Sequence, residues 1–95
     1  MSFGFVAFHY PAPEHVDAFV RECRQVADAA RHQPGFLSTE VWVTPDGGAV
    51  VTTGSFESEA AFLAAAEVGR EMGATPEGLS DLEVRPREVH FLVSR

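Results

Sequence analysis

The chain has one cysteine, Cys23, and therefore no disulfide within itself. It also lacks any run of basic side chains. Seven basic residues stand against fourteen acidic ones, a formal net charge of -7 at pH 7. Polyphosphates are held by clustered Lys and Arg that displace counterions, so neither nucleic acid nor an anionic membrane is an expected partner. There is no apolar run long enough to cross a bilayer and no charged-then-apolar segment of the signal type, which makes a cytoplasmic location the plain expectation. The four histidines, His9, His15, His32 and His90, show no ligand spacing such as an i, i+4 pair with a supporting carboxylate, so no metal site is expected. Cys23 falls on the apolar stripe of the first helix and reads as a small buried hydrophobe rather than a nucleophile.

What is present fits one domain spanning residues 1–95. At this length only about two thirds of the unfolded surface is buried on folding, so stabilisation by association, and hence a homodimer, is expected. Phe3 to Tyr10 is aromatic and apolar on both alternating faces, the pattern of a covered strand. From about Pro13 to Arg31, Val16, Phe19, Val20, Cys23, Val26, Ala27 and Ala30 recur at helical spacing; Pro13 suits the start, and Pro34-Gly35 ends the segment. Strands follow at about Leu37 to Thr44 and Ala49 to Phe56, joined by a turn whose Asp46-Gly47-Gly48 supplies backbone freedom. Ser58 is placed to cap a second helix running to about Met72. Gly73 to Asp81 is a link in which Thr75-Pro76-Glu77 opens a short helical turn, and Val84 to Val93 forms the last strand.

If Thr44 pairs with Ala49, one hairpin face carries Leu37, Thr39, Val41, Val43, Val50, Thr52, Gly54 and Phe56, and suits a position beneath the helices. The other carries Ser38, Glu40, Trp42, Thr44, Val51, Thr53 and Ser55. That face is too polar for a core yet holds the single Trp, which fits a surface covered by a partner subunit. The element order predicts a ferredoxin-like βαββαβ fold of the α+β class, with a four-stranded antiparallel sheet and both helices on one face. Pairing two such sheets across a two-fold axis gives a dimeric α/β barrel.

Several segments carry a resemblance: Gly4-Phe5-Val6-Ala7, Pro34-Gly35-Phe36-Leu37-Ser38, Asp46-Gly47 with Ala49-Val50-Val51, and Glu57-Ser58-Glu59. In these the chain resembles the antibiotic biosynthesis monooxygenase family. The resemblance implies oxidation of an aromatic polyketide-type small molecule to a quinone by molecular oxygen, with neither metal nor flavin. It implies a pocket lined by Thr52, Phe56, Phe62 and Arg70. The family's small oxygenases have an Asn, a Trp and a Tyr at the first three of these positions, and all three have changed here. A threonine hydroxyl lacks the paired donor and acceptor of an amide, and each Phe lacks a polar handle. The heme-degrading branch of the fold uses an Asn, a Trp and a helix-two His, whereas this chain contains no Asn and its second helix no His.

Phe56 reads equally as core and Thr52 equally as an ordinary strand residue, while the residues by themselves favour core for Phe62 and a solvated helix charge for Arg70. His9 and His90 lie on strands, where either is a candidate general base if it faces the pocket. No catalytic residue is assigned from sequence. Two further functions remain open: a polyketide cyclase or isomerase using one of these histidines without oxygen, and a non-catalytic small-ligand binder.

Overall fold

The chain alternates short apolar, β-branched segments with two amphipathic ones, and each becomes one element. In the computed structural model, which describes residues 1–72 and 82–95, these are β1 (Phe3–Pro11), a 3-10 turn (Pro13–His15), α1 (Val16–Ala30), β2 (Phe36–Val43), β3 (Val50–Phe56), α2 (Glu59–Glu71) and β4 (Glu83–Val93). The strands form one antiparallel sheet in the order β2-β3-β1-β4. Phe62 of α2 packs on Phe3, Phe5 and Phe56, and Phe19 of α1 lies on the ring of His9. These contacts put both helices on one side of the sheet, the ferredoxin-like α+β arrangement that the element order predicts. Among the described residues no helix is long and apolar enough to cross a membrane.

The β2-β3 hairpin has the expected register: the Thr44 amide donates to the Ala49 carbonyl at 3.0 Å, and Val43, Val41 and Thr39 face Val50, Thr52 and Gly54. Its turn is shaped by Asp46, whose carboxylate accepts from the Gly48 amide at 2.8 Å and the Thr44 hydroxyl at 2.7 Å. Those bonds, the backbone one first, hold the Asp46 carboxyl below its ordinary range. Gly47, at φ +74°, takes a conformation that L side chains resist. Ser58 caps α2 by accepting from the Ala61 amide at 3.1 Å. Gly35 is required twice over, because its φ is +84° and a Cβ there would meet the Ala61 Cβ at 2.6 Å.

Three expectations need correction. The segment from Pro13 is not α-helical at its start: Ala12 carries no capping side chain, the His15 amide bonds the Ala12 carbonyl as a 3-10 turn, and the α-helix begins at Val16. A register shift between Phe36 and Ser38 sets Phe36, not Leu37, against Phe56 and leaves Leu37 exposed. The last strand starts at Glu83, one residue before the apolar alternation suggests. The turn expected at Thr75-Pro76-Glu77 lies outside the described residues.

Candidate functional site

The helix-covered face of the sheet is divided in two. At one end the strands contribute Phe3, Phe5, Phe56 and Phe91, and α2 sets Phe62 among them with ring centroids 5.2 to 5.7 Å away. At the other end, under α1, four polar side chains form a row, two of them buried and two half-buried.

The row begins with sheet geometry. Ala7 pairs with Thr52 and His9 with Val50, which makes Thr52 and His9 diagonal neighbours on one face. Their side chains meet, with His9 Nε2 3.0 Å from Thr52 Oγ1. On the other flank, the pairing of β1 with β4 shifts twice: Phe8 faces Glu88, Tyr10 faces Arg85, and Pro11 faces Glu83. Pro86 lies within the first shift. It has no amide hydrogen for the ladder and is tolerated because β4 is an edge strand with a bulge. The two shifts offset each other, so Glu83 and Arg87 keep the facing of Val89 and Phe91 and lie on the His9 side of the sheet. Glu83 Oε1 lies 3.4 Å from His9 Nδ1, and Arg87 Nη2 donates to Glu83 Oε2 at 2.6 Å.

Burial makes this row distinctive. His9 is 6 % exposed and Glu83 6 %, and charged or titratable groups seldom reach such depth unless partnered. The Phe19 ring stands 5.1 Å from the imidazole, centroid to centroid, and shuts out water from above. Burial, and after it the Arg87 guanidinium, lowers the His9 pKa from the ordinary 6.5, while Glu83 pulls the other way. His9 is therefore neutral at neutral pH. A carboxylate on the Nδ1 side favours a proton at Nδ1, leaving the Nε2 lone pair to accept from the Thr52 hydroxyl. Such a row can take a proton at Nε2, directly or through the Thr52 oxygen. Cys23, also on α1, is no competing nucleophile, because burial pushes its thiol up to about 12. Among the described residues no three His, Cys, Asp or Glu side chains converge as metal ligands would.

Of the residues that the family resemblance implies, Thr52 lies against His9, whereas Phe56 and Phe62 lie in the aromatic half, their rings 5.7 Å apart. Arg70 is exposed at the end of α2 and donates to Glu67 at 2.6 Å, so it is placed with Glu67 rather than with the other three. Of the two strand histidines, His9 faces the helices, whereas His90 is exposed and pairs with Val6 on the open side of the sheet. Trp42 pairs with Val51, also on the open side, and is 55 % exposed. Sequence reading missed Glu83 and Arg87. The available signal was their alternation with Val89 and Phe91, which puts both on the helix-facing side of β4 although their charge suggests the open one.

Two shallow concavities lie elsewhere. One of about 440 Å³ is bounded by Tyr10, Arg85 and the hairpin residues Thr44 to Ala49; one of about 330 Å³ runs over Gly4, Val6, Thr53, Ser55 and Leu92. Neither is lined by Thr52, Phe56, Phe62 or Arg70.

An antiparallel sheet with two helices across one side and a proton-accepting row beneath them defines a ferredoxin-like α+β protein with a candidate acid-base site. The sequence profile described as antibiotic biosynthesis monooxygenase matches residues 2–68, and the chain belongs to that family. Solved structures share the fold. Rv0793 from Mycobacterium tuberculosis is 20% identical with a TM-score of 0.78, the match covering 100% of this chain and 96% of that one. ActVA-Orf6 of Streptomyces coelicolor, a monooxygenase solved with nanaomycin D, is 24% identical with a TM-score of 0.69, covering 99% and 88%. SnoaB from Streptomyces nogalater, a cofactor-independent oxygenase solved as a mutant, is 18% identical with a TM-score of 0.65, covering 99% and 93%. No curated protein sequence matches the chain.

Proposed function

We propose that this protein is a cofactor-independent monooxygenase that oxidises an aromatic, polyketide-type small molecule to a quinone, working as a homodimer. The observation that carries the reading is the contact of half-buried Thr52 with buried, neutral His9, in a chain of this family. Such oxidations need an electron-rich carbanion, made by removing a proton from a phenol or an anthrone methylene. His9 is the base that removes it, and Thr52 contacts the substrate oxygen. The carbanion adds oxygen to give a peroxide, which loses water: one oxygen atom becomes the new carbonyl and the other leaves as water. Phe56 and Phe62 supply the aromatic walls, with Arg70 at the solvent end of α2. Because the rings of this half already touch, a flat ligand wedges between them rather than filling a standing cavity. The open sheet face, with Trp42, Val6, Phe8 and Leu92, is the surface we assign to the second subunit.

The test is oxygen consumption and quinone formation followed together with an anthrone or dihydroxynaphthalene substrate and metal-free protein. Acceleration of both over a no-protein control, abolished in His9→Gln, supports the reading; binding without acceleration refutes it. The same row of groups also favours a second reading, a cyclase or isomerase, because it transfers protons without needing oxygen. Turnover that persists under argon distinguishes this alternative.

A further inference from the structure

We infer that Glu83, clamped by Arg87, is the positioning residue that holds His9 with its proton on Nδ1 and keeps Nε2 free to accept one. The inference rests on the proposed role of His9 as a base. It concerns two residues of β4 beyond the 2–68 segment that carries the family match.

The geometry is directional. A neutral imidazole has one donor and one acceptor nitrogen, and its neighbours decide which is which. Thr52 accommodates either tautomer, since a hydroxyl both donates and accepts. Glu83 does not: an ionised carboxylate only accepts, so facing Nδ1 at 3.4 Å it selects the Nδ1–H form. That distance is longer than a formed hydrogen bond, and the contact in the resting chain is an electrostatic bias. It shortens into a charge-assisted bond when Nε2 takes a proton and the ring becomes cationic. Arg87 fixes the carboxylate from the far side through Oε2, so that Oε1 is the oxygen turned to the ring. Among the described residues, the groups about His9 include Glu83 and Arg87 from β4 and the Thr52 hydroxyl on β3, with the protonated thiol of Cys23 on α1 near the Glu83–Arg87 pair.

Glu83→Gln makes the idea testable, because Arg87 remains. The guanidinium must bond the amide oxygen, which turns the amide NH2 toward Nδ1. His9 is then forced to carry its proton on Nε2, where it cannot act as a base. Long-range ¹H–¹⁵N correlation on ¹⁵N-histidine protein reads the tautomer directly. Wild type is expected to show a protonated Nδ1 and a bare Nε2, and Glu83→Gln the reverse. The kcat of that variant is expected to fall by a factor on the order of 10²–10⁴, while Glu83→Gln with Arg87→Met, which removes the guanidinium that orients the amide, is expected to shift back toward the Nδ1–H form. A wild-type His9 protonated on Nε2 overturns the inference even if no variant folds, as does a Glu83→Gln variant with unchanged tautomer. Wild type with the Nδ1–H form but no oxygen uptake retires the oxygenase reading and still supports the positioning role.

Discussion

Two arginine–carboxylate pairs in this protein have the same separation and opposite surroundings, and comparing them tests how burial governs their energetics. Arg87 meets Glu83 at 2.6 Å with side chains 12 % and 0 % exposed; Arg70 meets Glu67 at 2.6 Å with side chains 49 % and 62 % exposed. An exposed helical pair gains little in high dielectric, and Arg70→Met is expected to cost about 0.5 kcal/mol or less. Arg87→Met removes the guanidinium from a carboxylate that cannot reach water, and breaking a buried pair from one side costs about 3–5 kcal/mol. For a chain of this size, with stability of roughly 5–15 kcal/mol, that is a large share. Adding Glu83→Gln to Arg87→Met neutralises the buried carboxylate and is expected to recover much of the loss, since the penalty lies in a buried charge deprived of its guanidinium rather than in the missing bond. Urea titrations of the four proteins at one pH, analysed by linear extrapolation, give the comparison. An Arg87→Met cost no larger than that of Arg70→Met would refute the argument, and with it the buried site.

Four further expectations follow from single observations. The folded-state pKa of His9 lies below 6.5, so the unfolded chain binds more protons in the interval between the two values, and stability falls as pH drops below about 6.5. The slope is at most about 1.4 kcal/mol per pH unit, the loss ends once folded His9 is protonated, and urea midpoints of His9→Gln should lack this component. Gly54→Ala would place a Cβ 2.6 Å from Phe5 Cε1, and because Phe62 holds that ring the overpacking should cost about 1–3 kcal/mol in thermal or urea unfolding. Trp42→Ala should weaken self-association in sedimentation while shifting the stability of the single chain by only about 0.5 kcal/mol; unchanged association removes Trp42 from the interface. Cys23, half-buried on α1 with its thiol pushed up to about 12, should resist iodoacetamide at pH 8 and react promptly once urea unfolds the chain; rapid native labelling contradicts the raised thiol pKa.

The parts of the fold legible in the sequence are those governed by local periodicity. The Asp46-Gly47-Gly48 turn fixes Thr44 against Ala49, and from that register Trp42 and Thr52 fall on opposite faces, as the pairing confirms. Ser58 as a cap and the break at Gly35 are also local chemistry. Part of what escaped depends on irregularity. A bulge adds one residue to one strand, reverses the facing of everything beyond it, and leaves no trace in a period-two pattern. Leu37 is misplaced for that reason, whereas Glu83 and Arg87 share the parity of Val89 and Phe91 and escape notice because charged side chains read as solvated. His9 illustrates a different limit: its alternation with Ala7 and Phe5 indicates the face, but its partners come from strands 43 and 74 residues further along the chain.

The division of the helix-covered face argues for chemistry on a flat, partly ionisable molecule. A stable core needs no Thr–His–Glu–Arg row with His9 and Glu83 buried in it; apolar side chains of similar volume generally serve stability as well or better, because desolvating charges costs several kcal/mol per ion. The aromatic half of the same face shows that this chain can build the apolar alternative within one sheet. Retaining the polar half therefore implies a use for it. The use that fits its geometry is a proton acceptor kept neutral by burial and aimed through Thr52 toward the aromatic wall, where a phenolic hydroxyl or an acidic methylene could meet it. Glu83→Gln separates the two accounts: in a merely structural row the tautomer turns over without consequence for turnover, whereas in a row that serves the chemistry kcat falls together with the loss of a bare Nε2.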